Sequence, residues 1–334
     1  MKKARVLAMI LALVMVISLG ACNGGGGGNG NGGSNLAGDR NGDGKITIAY
    51  STIAYAISTL TMNMADNLQE ACKERGWELN WLTAEGDYML QGEQISQLVQ
   101  MDPDYFLIFP ADPMLAIDWV NEINAAGIPI VAMFVDVADE VKSKVAAYCG
   151  VDNYPMGRTI AEELIKDFGT QADINIVRIG GVPVQTDYIQ RNAGFVEHIE
   201  ANTNYTIMGD VGWAYSSRAE AQTIMENFIT AYGEQINVLV GYDDELTLGG
   251  ISALQAAGMT DVKVYSCVAT LNSIQAMREG KLTMTTLCLT RETVDLALEV
   301  VDELMAGKTI SNYYRYQNVP VIRIENVDQY TPEW

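Results

Sequence analysis

The side chains able to do chemistry are few in kind. One histidine, His198, stands in the 334 residues, so a site needing two imidazoles, as most catalytic zinc centres and histidine proton relays do, cannot be assembled. His198 lies between Glu197 and Glu200 in a helical stretch and reads as a surface residue. Cys72, Cys149, Cys267 and Cys288 form no C-x-x-C pair; in a chain of this size they read as buried small apolar groups, and a Cys267–Cys288 bridge would need their strands to be neighbours. Asp39, Asn41, Asp43 and Gly44 spell the D-x-N-x-D-G opening of a calcium loop, with Ile46 at its apolar position. Position twelve, however, is Tyr50 instead of a bidentate glutamate and the chain runs straight into a strand, so the segment reads as the solvated end of a linker. Gly180-Gly181 carries no lysine for a phosphate, and no G-x-G-x-x-G follows a strand. Acid pairs such as Asp87 and Asp243 could serve a hydrolase, but scattered carboxylates are expected among 42 Asp and Glu. The expectation is a protein that is not an enzyme and holds no metal and no cofactor.

The elements that would position a site follow from charge and hydrophobic pattern. A formal charge of −21 excludes nucleic acid as a partner held by general electrostatic attraction. Lys2, Lys3 and Arg5 precede an apolar run from Val6 to Ile17, a charged start and a hydrophobic stretch too short to span a bilayer comfortably. Leu19-Gly20-Ala21-Cys22 closes it and resembles the lipobox of bacterial lipoproteins, which implies cleavage after residue 21 and lipidation of Cys22. Loss of residues 1–21 removes three basic and no acidic residues, so the mature chain is more acidic still. From Asn23 a Gly/Asn-rich stretch forms a flexible tether of roughly 20–25 Å span; residues 22–44 together are assigned to the lipidated cysteine and tether.

From Lys45 onward, strand-like runs alternate with amphipathic helical patterns. Strands are expected at Lys45–Ser51, Trp77–Thr83, Tyr105–Phe109, Ile128–Phe134 and Ala146–Val151, and again at Ile174–Ile179, Tyr205–Val211, Val238–Gly241, Val262–Cys267, Leu282–Leu289 and Val319–Ile324, with helices between most of them. This alternation predicts an α/β protein of two doubly wound, Rossmann-like parallel-sheet lobes. With 49% hydrophobic residues it has enough apolar material for two cores. Ligands of open parallel sheets bind beyond the C-terminal ends of the strands, so two such lobes make a cleft lined by strand-to-helix loops.

Five segments carry a resemblance, in order and with compatible spacing. Gly150-Val151-Asp152-Asn153-Tyr154-Pro155-Met156-Gly157 resembles the G-x-D-N-x-x-x-G motif of type I periplasmic binding proteins of the ribose- and galactose-binding group. Gly241-Tyr242-Asp243-Asp244-Glu245-Leu246-Thr247-Leu248-Gly249, Gly258 with Val262-Lys263-Val264, Gly280-Lys281-Leu282, and Glu325-Asn326-Val327-Asp328-Gln329-Tyr330 resemble later motifs of that family. The resemblance implies three hinge crossings near Val151, Leu289 and Asn312. The N-terminal lobe is then 45–151 plus 289–312, and the C-terminal lobe 152–288 plus 313–334, closing on a ligand about the hinge.

The same resemblance implies the binding residues. Tyr55 falls near a sugar-binding asparagine, and the aromatic pair beyond it becomes Ile57 and Ser58. Asp87 matches a hydroxyl-binding position and is equally a candidate helix N-cap. Arg191 matches the ligand-binding arginine, its planar head suited to neighbouring hydroxyls or a carboxylate. Trp213, with Tyr215 as runner-up, falls where an aromatic faces the sugar ring. Asp243 stands for a binding asparagine. Phe134, with Asp136 two residues on, Val268 and Cys288 replace two aspartates and a glutamine, so a simple pentose is not expected to bind in the usual pose. The resemblance implies a monomeric, extracytoplasmic, lipid-anchored protein that takes a small polar ligand, a saccharide first of all, and passes it to an ABC permease. An alternative is a sensor that presents its closed form to a membrane histidine kinase or chemoreceptor.

Overall fold

A run of buried apolar residues bounded by turn residues becomes a strand in the computed structural model, which describes residues 36–334 except 57–58, 182, 184 and 213–216. The leader, Cys22 and most of the tether lie outside the described residues, as do Ile57, Ser58, Trp213 and Tyr215. The chain forms β1 (Thr47–Thr52), α1 (Thr59–Arg75), β2 (Glu78–Thr83), α2 (Tyr88–Gln100), β3 (Tyr105–Phe109), α3 (Ala116–Ala125), β4 (Ile130–Met133) and β5 (Ala147–Gly150). It continues as α4 (Asn153–Phe168), β6 (Asn175–Ile179), α5 (Thr186–Asn202), β7 (Thr206–Val211), α6 (Arg218–Tyr232), β8 (Val238–Gly241), α7 (Asp244–Ala256), β9 (Lys263–Tyr265), α8 (Leu271–Arg278) and β10 (Thr285–Thr286). Finally come α9 (Thr290–Met305), β11 (Tyr314–Tyr316) and β12 (Val321–Ile322).

The first lobe's sheet has the order β11-β5-β4-β3-β1-β2, and the second lobe's β7-β6-β8-β9, each parallel throughout. A short antiparallel pair, β10 with β12, accompanies the second lobe. Both sheets reverse their strand order next to the first strand of the lobe, at β1 and at β6, which is where open α/β sheets bind ligands. β1, β3, β4, β5 and β8 are buried along their whole length, as strands covered on both faces must be. One apolar cluster runs through the hinge from Ile48 and Leu107 past Val151, Cys288 and Cys267 to Val240, while separate clusters fill the outer face of each lobe.

Two parts of the sequence reading are corrected. The third crossing does not fall at Asn312: β11 at Tyr314–Tyr316 still pairs with β5, and the chain enters the second lobe only between Tyr316 and β12. This strand escaped the pattern because it is a partly exposed edge strand without an apolar run. The segment Asp39–Gly44, grouped with the tether, is docked on the first lobe: the Arg40 and Asn41 amides donate to Asp104 Oδ1, and the Thr47 amide donates to Asp104 Oδ2. Within it the Asp39 and Asp43 carboxylates accept backbone amides from Gly42, Gly44 and Lys45; among the described residues no group of three or more His, Cys, Asp or Glu could hold a metal. The Cys267 and Cys288 thiols are free, and all four described cysteines are buried.

Candidate functional site

The loops after β1, β3 and β4 face those after β6, β8 and β9 across a cleft of about 550 Å³, within the roughly 300–1,000 Å³ typical of small-molecule sites. The Gln185 amide reaches over it to the Ala111 carbonyl at 3.2 Å.

Arg191 is positioned by the packing of α4 on α5. Gly157 and Gly194 allow the two helices to touch: a Cβ on Gly157 would overlap the Arg191 carbonyl, and one on Gly194 the Tyr154 carbonyl. Asn153, at the start of α4 just past the first hinge crossing, accepts from Arg191 Nη2 at 2.7 Å and donates to the Val151 carbonyl at 3.3 Å. Arg191 Nη1 donates to the Tyr242 carbonyl at 2.8 Å, and its guanidinium lies 4.3 Å from the centre of the Tyr242 ring. Burial disfavours the Arg191 charge, but Cys267, Tyr242 and Asp187 more than offset it, so its pKa sits above the ordinary value. Burial pushes the Cys267 thiol up to about 12, with Arg191 opposing, so this group beside the arginine is a neutral thiol at neutral pH.

Asp187 lies one turn before Arg191 on α5. Only 7% exposed, it lines the cleft; Oδ2 accepts the Tyr242 hydroxyl, and Oδ1 has no partner among the described residues. A buried acceptor left in this state is costly until a donor arrives. The sequence reading passed over Asp187, although its i, i+4 spacing to Arg191 places both on one helix face.

Asp243 lines the cleft and caps α7, accepting from the Leu246 amide at 2.8 Å. Its neighbour Asp244, 1% exposed, accepts from Ser266 Oγ, Thr285 Oγ1 and the Thr270 amide. Burial pushes its carboxyl up to about 7, against these hydrogen bonds.

Phe134 and Val268 also line the cleft, and both have left-handed backbones, with φ 63° and 67°. For a β-branched residue such a φ is a strained outlier, of the kind found where a fold over-determines a ligand site. Tyr148 holds the first in place, its hydroxyl donating to the Phe134 carbonyl at 2.9 Å, and the Thr286 hydroxyl lies 3.4 Å from the Val268 amide. Gly150 is required there, since a Cβ would crowd the Tyr148 hydroxyl and the Phe134 backbone. Phe134 and Phe109 pack with ring centres 5.6 Å apart, giving this part of the wall an apolar surface.

Four other residues assigned to the site lie off its wall. Tyr55 turns away to pack on Trp81 and donate to Asp66 at 3.0 Å. Asp87 is an exposed N-cap of α2, accepting from the Met89 and Leu90 amides, and its neighbours Gly86 and Tyr88 face the cleft instead. Asp136 is buried against Tyr313 Oη, its own neighbour's amide and Lys142, 3.1 Å away. Cys288 is buried in the hinge, accepting from Gln317 Nε2 at 3.2 Å. Each was carried by a motif alignment that fixes a place in the chain but not the direction of a side chain leaving a loop. Trp213 lies outside the described residues.

Residues 48–309 match the family described as periplasmic binding protein domain. The ribose import binding protein of Bacillus subtilis (strain 168) is 25% identical over 263 residues, covering 78% of this chain and 83% of that protein. The xylitol-binding protein of Mycolicibacterium smegmatis is 25% identical over 280 residues, covering 82% and 76%. Among solved structures, an ABC transporter solute binding protein from Bacillus halodurans C-125 with bound myo-inositol superposes with a TM-score of 0.76 at 26% identity, covering 86% of this chain and 97% of that one. A galactofuranose binding protein superposes with a TM-score of 0.79 at 20% identity, covering 85% and 96%, a likeness of fold.

Proposed function

The chain belongs to the periplasmic binding protein family, and from that premise we propose that it is an extracytoplasmic solute-binding lipoprotein. It captures a saccharide between its lobes, performs no reaction on it, and delivers it to an ABC importer. The observation that carries the ligand class is the Asp187 carboxylate, buried at the cleft wall with one oxygen unpartnered among the described residues and Arg191 one turn away. Such a pair offers an acceptor and a fixed positive fork, the complement of vicinal hydroxyls. Phe134 and Val268 set an apolar surface beside these polar groups, which suits the C–H face of a sugar ring and disfavours a ligand that carries hydroxyls on every side. The ribose and xylitol named for two relatives, and the myo-inositol bound in a related solved structure, support a small sugar or polyol as the ligand class. Anchoring at Cys22 rests on the order of charged start, apolar run and Leu19-Gly20-Ala21-Cys22.

A thermal-shift screen of the mature protein tests the reading, because a ligand that binds only the folded state must raise the unfolding midpoint. The panel holds D-ribose, D-xylose, xylitol, D-allose, D-fucose and myo-inositol beside nucleosides and amino acids. At least one saccharide or polyol is expected to raise the midpoint, and Asp187→Asn to shrink that rise. A midpoint that moves with an amino acid or nucleoside alone would overturn the assignment.

A further inference from the structure

The chain does not end its contacts with the second lobe at β12. Val327 and Tyr330 still pack on that lobe's apolar cluster, and Asp328 pairs with Arg278 of α8 at 2.8 Å. Three residues later it has crossed to the first lobe. Glu333 Oε2 accepts from the Thr290 amide and hydroxyl and from Asn67 of α1, and Oε1 accepts from the Arg291 amide. Its carboxylate thus occupies the N-terminus of α9, where unpaired N–H groups and the helix dipole both favour an anion. The Trp334 carbonyl in turn accepts from the Leu271 amide at the start of α8 in the second lobe. Residues 331–334 are therefore held at both lobes, and the Trp334 side chain lines the cleft between them.

Five aromatic side chains among the described residues line this cleft: Tyr88, Phe109, Phe134, Tyr242 and Trp334. Phe109 and Phe134 are packed on each other, and the Tyr242 ring is covered by the Arg191 guanidinium. Trp334 is only partly buried, and its indole N–H has no partner among the described residues. We propose that Trp334 is a specificity-determining residue of the cleft, placed by the Glu333 anchor, and that its indole supplies the face on which the ring of the bound saccharide lies and a donor for one of its hydroxyls. The inference rests on the saccharide reading above. Stacking of an apolar indole face on sugar C–H groups, with a polar N–H at the edge, is the use for which tryptophan's shape and chemistry are suited.

The test is titration calorimetry of the mature protein, wild type, Trp334→Ala and Trp334→Phe, with whichever of D-ribose, D-xylose, D-allose, D-fucose and myo-inositol binds the wild type most tightly. Trp334→Ala is expected to weaken binding tenfold or more, and Trp334→Phe, which keeps a ring, to weaken it less. The ligand-induced change in tryptophan emission should fall by more than half in Trp334→Phe, a readout that works even if the alanine variant folds poorly. If no compound of the panel binds the wild type, both the saccharide reading and this inference fall. If one binds and neither variant alters affinity or emission response, this inference alone falls.

Discussion

At the scale of single residues, Arg191 serves two purposes at once. Its Nη atoms hold Asn153 at the first hinge crossing and the Tyr242 carbonyl before α7, while its side chain, 4% exposed, faces the cleft wall. A residue so embedded cannot be removed without cost to the empty protein. Arg191→Ala leaves Asn153 Oδ1 without its charged donor and opens a cavity, which costs about 2–4 kcal/mol, or roughly 3–6 °C of midpoint in a chain of this size. Calorimetric scanning should show that drop without ligand, and the ligand-induced rise should vanish in the same variant. Arg191→Lys keeps a charge but not the planar fork, and is expected to recover part of the stability and little of the binding. A wild-type midpoint in Arg191→Ala would refute the structural half of this account.

At the scale of elements, α7 joins the cleft to the hinge. Asp243 caps it, and Asp244 in its first turn reaches Thr270 in the loop before α8 and Thr285 of β10. Burial raises the Asp244 carboxyl from its ordinary 3.8 to about 7. Between those values the folded protein binds the proton more tightly than the unfolded one. The contribution of this group to stability is therefore fully present below about pH 4 and is lost as pH rises through about 7. Midpoints measured from pH 5 to 8 should fall with rising pH more steeply in the wild type than in Asp244→Asn, where the titrating group is absent. Parallel curves would show that Asp244 does not titrate in this range. The helix itself was legible, because Asp243 and Asp244 precede an apolar-periodic run. The environment of Asp244 was not, since it is built by Ser266 and Thr285, 22 and 41 residues away.

At the scale of the whole molecule, the hinge is tied at one residue, by its backbone to the first crossing and by its side chain to the second. Gln317, buried between β11 and β12, donates through its backbone N–H to the Gly150 carbonyl at 2.8 Å, and its side-chain Oε1 accepts the Leu289 amide at 2.8 Å. Its Nε2 also reaches Thr293 and the Cys288 sulfur. It thus touches the first two crossings from within the third. Lobe closure requires these three segments to twist together, and a bonded centre gives them a common pivot. Gln317→Ala strands the Leu289 amide and is expected to cost about 1–3 kcal/mol. Small-angle scattering should show a larger radius of gyration in the unliganded variant than in the unliganded wild type, with ligand restoring most of the difference. Identical scattering in the two unliganded proteins would remove Gln317 from the pivot.

Local pattern determined the alternation of strands and helices, the two parallel sheets and the family, because hydrophobic period and turn residues act over a few positions and survive without knowledge of the rest of the chain. It also pointed to Arg191, Asp243, Phe134 and Val268 through motifs whose residues leave the ends of strands. Tertiary structure alone decided which of the remaining side chains meet. Tyr55, Asp87, Asp136 and Cys288 turned to partners off the cleft wall, whereas Asp187, Gln317 and Trp334 took places that no motif marked. Those outcomes depend on how the chain passes between lobes: Glu333 meets Thr290 and Gln317 meets Gly150 across stretches of chain over which no local periodicity carries information.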